Sequence, residues 1–254
     1  MEVHHHARPE TPGHRKKWTH YIWEFLMLFL AVFCGFLAEN FREHTVEHRR
    51  EKDYMISMLN DLKADRRHLE SIDSISALVT ENIDSLIPLL KSDALDENAT
   101  AIYKHQVMVN IFDKLIYSDR TIQQLKNSGN FRLIRKKNVS DAIMSYDGFM
   151  LNYIGEMQVS YILPLWRRIN EAGTDIFKSV VFRNYLKSGG WTDHSVMLPD
   201  KPYFLTTNKI DLQRFINLLD QYAVATEWFS SNTRSAYKRA GYLDSLIRKE
   251  YHLK

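Results

Sequence analysis

The chain has 254 residues, 44% of them hydrophobic and 26% charged, with a formal net charge of +3 and one cysteine. A charge this small, with Lys and Arg interspersed among Asp and Glu, leaves no electrostatic footprint for nucleic acid. A single cysteine permits neither an intrachain disulfide nor a thiolate zinc cluster, and nine glycines with six prolines favour long helices over many short strands.

Residues 1–17, "MEVHHHARPETPGHRKK", are polar and interrupted by two prolines and a glycine. They predict a disordered tail, in which the three consecutive histidines could hold a metal ion weakly. An apolar run, Phe25 to Ala38, follows between Glu24 and Glu39. It is apolar on every face, whereas a soluble helix keeps a polar stripe. Counted from Tyr21 the run is long enough to cross a bilayer, which takes about 20 residues and about 17 at the least. Trp18, Tyr21 and Trp23 place amphipathic rings at one end, where such rings prefer the interface. Glu24 and Glu39 then mark the two headgroup layers. A cleaved export signal also has a basic flank and an apolar core. Its small–x–small site is missing, because Phe36-Leu37-Ala38 puts a ring where a small residue is wanted. Val32-Phe33 is a poor lipoprotein context before Cys34. The expectation is a retained transmembrane helix over 18–40. Arg15, Lys16 and Lys17 lie closer to it than Arg42, Arg49, Arg50 and Lys52 do. The positive-inside rule therefore places the tail in the cytoplasm and the C-terminal part in the periplasm of an inner membrane.

Residues 41–90 read as a stalk and first bundle helix. Met58, Leu62, Asp65, Leu69, Ile72, Ser76, Val79, Ile83, Leu86 and Leu90 follow a 4-3 repeat, the seam of a coiled coil or bundle. Met55, Leu59, Ile75 and Leu78 widen it, which favours a globular bundle. Pro88 marks the last turns or a kink. Residues 91–254 read as further helices. One runs from Asn98 to about Tyr117 through Ile102, Val107, Val109, Ile111 and Leu115. Ser118 is the expected cap of a short helix that Gly129 stops in a left-handed position. Asn138, with Asp141 three residues on, is the expected start of a long helix through Ile143, Tyr146, Met150, Tyr153, Met157 and Tyr161, kinked at Pro164. Gly173 and Gly189-Gly190 bracket another short helix. Residues 190–207 form the longest loop. Asn208 caps a final helix through Leu212, Phe215, Leu219, Tyr222, Phe229, Ala236, Ala240, Leu243 and Ile247. The fold class is all-α: a transmembrane helix continuing into a stalk helix, then an antiparallel bundle.

Three stretches carry a resemblance: "MEVHHH", "WTHYIWEFLMLFLAVFCGFLAENFREHTVEHRREKDYMISMLNDLKAD" and "LKNSGNFRLIRKKNVSDAIMSY". Together they resemble a group of uncharacterised bacterial membrane proteins that pair one N-terminal span with a helical domain. The resemblance extends to about Tyr146. It implies a retained span and a native His-rich tail. It implies no activity, since no function is assigned to that family.

Candidate chemistry is sparse. His44, Glu47 and His48 form H-x-x-E-H, the inverted zinc-peptidase pattern. Two histidines at i and i+4 share a helix face, and Glu47 could activate a water. A solvated helix face rich in Glu-to-Arg pairs explains the same residues without chemistry. Glu24 could carry a proton in an ion-coupled complex, but at the edge of the run it can snorkel or pair with Lys16 or Lys17. Arg132, Arg135, Lys136 and Lys137 form a basic patch fit for a partner or lipid headgroups, beside Leu133-Ile134, which pins the next element. Tyr153, Tyr161, Trp166, Tyr222, Trp228 and Phe229 recur at helical spacing and read as core. No phosphate loop or catalytic triad stands out. No catalytic residue, cofactor, nucleic acid or small-molecule substrate is expected. The expected partners are the lipid bilayer and either a second copy or another membrane protein. The expected role is a membrane-anchored interaction or scaffold module. The alternatives are a metal-dependent hydrolase using His44, Glu47 and His48, and an accessory subunit of an ion-coupled complex using Glu24.

Overall fold

The computed structural model describes residues 18–187 and 198–253. The histidine-bearing tail, with Lys16 and Lys17, lies outside the described residues. So do Gly189-Gly190 and the first part of the 190–207 loop. Helix takes up 84% of what is described, and the one strand-like feature there is an isolated bridge between Phe177 and Phe204. The protein is therefore all-α. The chain divides into two compact units, Met1–Glu51 and Lys52–Lys254. Helix α1, Trp18–Lys91, starts in the first and ends in the second.

In the second unit all ten residues of the 4-3 seam are buried, as are Met55 and Leu59. Pro88 falls three residues before the end of α1, so its missing N–H disturbs only the last turns. Helix α7, Lys209–Tyr251, lies alongside this part of the chain. Arg66 bonds Tyr237, Asp73 pairs with Arg234 and Asp93 pairs with Lys209. Rising numbers on α1 meet falling numbers on α7, so the two helices are antiparallel. Asn208 caps α7 by accepting the Ile210 N–H at 2.8 Å. All nine core positions expected along this helix are buried.

Between these two helices the chain forms α2 (Ala99–Val109), α3 (Arg120–Asn127), a 3-10 turn (Asn130–Leu133), α4 (Lys137–Phe149), α5 (Leu163–Ile176) and α6 (Ser179–Lys187). Five sequence expectations need correction here. The helix expected over 98–117 ends at Val109. The following segment, 110–119, is a non-helical strap whose polar groups bond to other elements. Leu115 N–H donates to Gln158 Oε1 at 2.6 Å, and Trp166 Nε1 donates to the Asn110 carbonyl at 3.0 Å. His68 Nε2 meets the Lys114 carbonyl at 2.7 Å, and Ser71 donates to Asp113. Partners 40 to 60 positions away in the chain do not show in a local pattern.

The N-cap of α3 is Asp119, not Ser118, and its own side chain makes no capping bond. Asn138 is not a cap either. Helix α4 starts one residue earlier, Asn138 donates to Glu250 at 2.9 Å, and Asp141 pairs with Lys137. Gly173 is not a boundary, because α5 continues to Ile176. A Cβ there would sit 3.6 Å from Gln106 and 3.7 Å from Phe177, which is ordinary contact, so the packing does not demand a glycine.

The fifth correction concerns the aromatics. Helix α4 runs into two π-helical stretches, Met150–Gly155 and Gln158–Ile162, before α5. Pro164 in the first turn of α5 has no N–H for the carbonyl four residues back, and the second π stretch lies directly before it. Each π turn shifts the faces that follow. After Met157 and Gln158 the next buried place falls to Ile162, which leaves Tyr161 exposed; Tyr153 is exposed beside buried Ile154, and Trp228 meets Tyr161 edge-on at 5.9 Å on the outer face of α7. Tyr222 and Phe229 are buried as expected, and Trp166 is half-buried.

Gly129 does take the left-handed conformation, with φ at +67° and open space around its missing Cβ. Its role is conformational. Gly129→Ala should cost about 1–2 kcal/mol, seen as a lowered midpoint when the detergent-solubilised chain is melted by circular dichroism. Gly129→Asn should lose less, since Asn tolerates that conformation better.

Candidate functional site

The first candidate is the apolar segment of α1. Its most apolar 18-residue window averages 2.1 in mean hydropathy, and none of it is buried within the protein. Ten large apolar side chains, from Phe25 to Leu37, face outward. At about 2 kcal/mol for each such side chain, water would penalise that surface on the order of 20 kcal/mol relative to an apolar surrounding. Phe25, Phe29 and Phe33 stack in a ladder with centroids 6.3 and 5.9 Å apart. The helix is thus long and apolar enough to cross a membrane. Trp18, Tyr21 and Trp23 are all exposed beside it. Glu24 pairs with His20 Nε2 at 3.0 Å, whereas the lysines proposed as its partners lie outside the described residues. Glu39 is held by Arg42 through two bonds of 2.9 and 2.6 Å. A carboxylate already paired in this way suits the polar edge of an apolar run.

His44 and His48 lie exposed on one helix face. His48 Nδ1 stands 3.3 Å from Glu51 Oε2. Among the described residues, no three His, Cys, Asp or Glu side chains converge as a metal site. Among the described residues, the third ligand that catalytic zinc requires does not join this pair.

The basic patch is real as a surface. Arg132, Arg135, Lys136 and Lys137 are exposed, and Leu133 and Ile134 are buried beneath them. Part of its charge is spent internally, since Lys136 lies 3.7 Å from Glu250 and Lys137 lies 2.6 Å from Asp141.

A second constellation, in the bundle, was visible to sequence reasoning only as an oddity, Asp65 at an apolar seam position. Asp61 and Asp65 lie one turn apart on α1, each 2% exposed. Asp61 accepts from Thr121 N–H at 3.1 Å, Thr121 Oγ1 at 2.6 Å and Arg120 Nη2 at 2.8 Å. Asp65 accepts from Ser118 N–H and from Tyr146 Oη, both at 2.8 Å. Asp61 therefore caps the N-terminus of α3 from another helix, and Asp65 holds the strap residue just before the cap. Asp61 there satisfies an N–H group that a helix start leaves free, and its charge opposes the positive dipole end. Beside them Asp147, also buried, accepts from Tyr117 at 3.1 Å and from Lys126. The rings of Tyr117 and Tyr146 meet edge-on at 6.0 Å.

Burial and the neighbouring carboxylates raise both phenols far above the ordinary tyrosine range, so they stay neutral donors. Burial also raises Asp65, against the pull of the Ser118 and Tyr146 bonds. Both oxygens of Asp61, Asp65 and Asp147 accept hydrogen bonds, so the cluster acts as a clamp that ties the strap and α3 to α1.

The sign for Asp65 follows from linkage. Its folded value lies above the ordinary 3.8, so its stabilising contribution is full below that value and is lost as pH rises through the folded value. Asp65→Asn should then be at least as stable as wild type at neutral pH, with the advantage shrinking on acidification. Thermal midpoints across a pH series check this. An Asn variant that loses stability most at neutral pH would rule out the burial argument.

A scan against protein-family models finds no match to the chain, and searches of curated proteins and of solved structures find none either.

Proposed function

We propose that the protein is a single-pass membrane protein whose helical domain serves as an interaction or scaffold module. The observation that carries this reading is the window of mean hydropathy 2.1 with no residue buried in the protein, joined by one continuous helix to a bundle with its own core. The lipid bilayer is its first partner, and a second copy or another membrane protein is the other. The resemblance to single-span bacterial proteins and the distribution of Arg15, Lys16 and Lys17 support an inner-membrane location, with the N-terminus in the cytoplasm and the bundle in the periplasm.

Two measurements test it. The native protein should stay with the membrane through alkaline carbonate extraction. A reporter active only outside the cytoplasm should be active when fused after Lys254. Release by carbonate would overturn the anchor, and activity of a cytoplasm-only reporter at the same position would reverse the orientation. Crosslinking in intact membranes, with a differently tagged second copy present, tests self-association directly.

A further inference from the structure

An open groove of about 710 Å³ runs between α1 and α7 in the bundle. Its floor is built from small side chains, Ser76, Ala77 and Thr80 of α1 and Ser230 of α7. Three carboxylates rim it, Glu81, Asp84 and Glu227. All three are exposed, and among the described residues none forms an ion pair. The one cation there, Arg234, is already committed to Asp73 at 2.9 Å and to Ser230 at 2.8 Å. The floor holds unspent polar groups. Ser76 is 7% exposed, and its hydroxyl makes no hydrogen bond among the described residues. Thr80 Oγ1 has no partner among the described residues either, but it is buried beyond an occupant's reach. An unpaired hydroxyl on a nearly buried residue costs stability, so Ser76 in this floor favours an occupant that brings a donor.

We infer that this groove docks a lysine- or arginine-bearing segment of a partner protein. The inference rests on the reading of the bundle as an interaction module and names the chemistry of what it binds. Three observations select this occupant. The carboxylates do not converge as a metal site, so the negative charge is spread along a track and not focused on one ion. The groove is open and its lining is as much polar as apolar, whereas small-molecule sites enclose most of their ligand within apolar walls. Small floor residues let another backbone approach closely, and unpaired rim acids complement basic side chains, which steers encounter and fixes register.

The test uses the full chain in detergent and a fluorescein-labelled octalysine peptide, read by anisotropy. Octalysine should bind, and added salt should weaken it. Octaglutamate should not bind. The variant Glu81→Gln/Asp84→Asn/Glu227→Gln should weaken octalysine by roughly tenfold, about three exposed charge contacts. Ala77→Trp should weaken it too, by filling the floor without changing charge. Neutralising three exposed acids elsewhere, Glu70→Gln/Asp175→Asn/Asp220→Asn, should leave binding unchanged, with circular dichroism confirming the fold of each variant. Absence of octalysine binding to the native chain, or an equal loss in the control variant, would overturn the inference. Either result leaves carbonate extraction and self-association untouched, so failure of the groove is distinct from failure of the anchored-module reading.

Discussion

Arginine placed at both Phe29 and Val32 should abolish membrane integration. These positions lie near the middle of the apolar run, where each arginine disfavours insertion by about 2.5–3.5 kcal/mol. Two of them oppose insertion by roughly 6 kcal/mol, a factor of order 10⁴. The double variant should move from the carbonate-resistant pellet to the soluble or degraded fraction. Glu24→Arg should stay in the pellet. Its site is already polar, already paired with His20 and exposed at the edge of the run, and a long basic side chain can snorkel there. The contrast between centre and edge is the point of the experiment. Pellet retention by the double variant would sink the transmembrane reading. Equal sensitivity at Glu24 would move the boundary drawn at that residue.

The second large effect is expected at Asp61. Removing its carboxylate in Asp61→Ala strands the Thr121 N–H and the Thr121 hydroxyl, since Asp61 is the acceptor each has and Thr121 is itself 4% exposed. Arg120 adds little, because its side chain is 81% exposed and solvent screens it. Two bonds to a buried charge, with their partners left unsatisfied, should cost about 3 kcal/mol. Asp61→Asn keeps one acceptor oxygen and should lose roughly half as much. Denaturation of the solubilised protein measures both. Trypsin adds a local readout: cleavage after Lys114 should accelerate in Asp61→Ala, because the strap is fastened to α1 in part through this carboxylate. A loss near that of an ordinary exposed aspartate would mean that α3 is capped by solvent instead.

Asp61 and Asp65 lie one turn apart and face the same segment, yet the two substitutions differ in expected sign at neutral pH. Asp61 is engaged by three donors from two residues. Asp65 carries its charge in a site where burial outweighs the two bonds that favour it. Neutralising Asp65 therefore relieves a cost, and truncating Asp61 creates one.

Features that rest on one regular periodicity or on a single residue's own conformation were legible in the sequence, whereas the caps expected at Ser118 and Asn138 and the boundary expected at Gly173 were not what forms. The apolar run needed only its own length and composition. The α1 seam from Met58 to Leu90 and the α7 face from Leu212 to Ile247 needed only helical periodicity, because each of those faces points to one core throughout. The left-handed Gly129 and the Asn208 cap are local backbone effects, and both were legible. Tertiary structure decided where a polar group's partner is remote. Residues 110–119 leave the helix because Gln158, His68, Ser71, Asp65 and Trp166 bond to them from other elements. The cap of α3 moved from its own chain neighbours to Asp61, about 60 residues earlier. The second π turn, before Pro164, gave Ile162 the core place that simple helical counting assigned to Tyr161, and Ile154 holds the one assigned to Tyr153. The same limit applies to the candidate sites. The anchor could be read in one pass along the chain. The groove rimmed by Glu81, Asp84 and Glu227 exists only because antiparallel packing brings residues 76–85 beside residues 227–234.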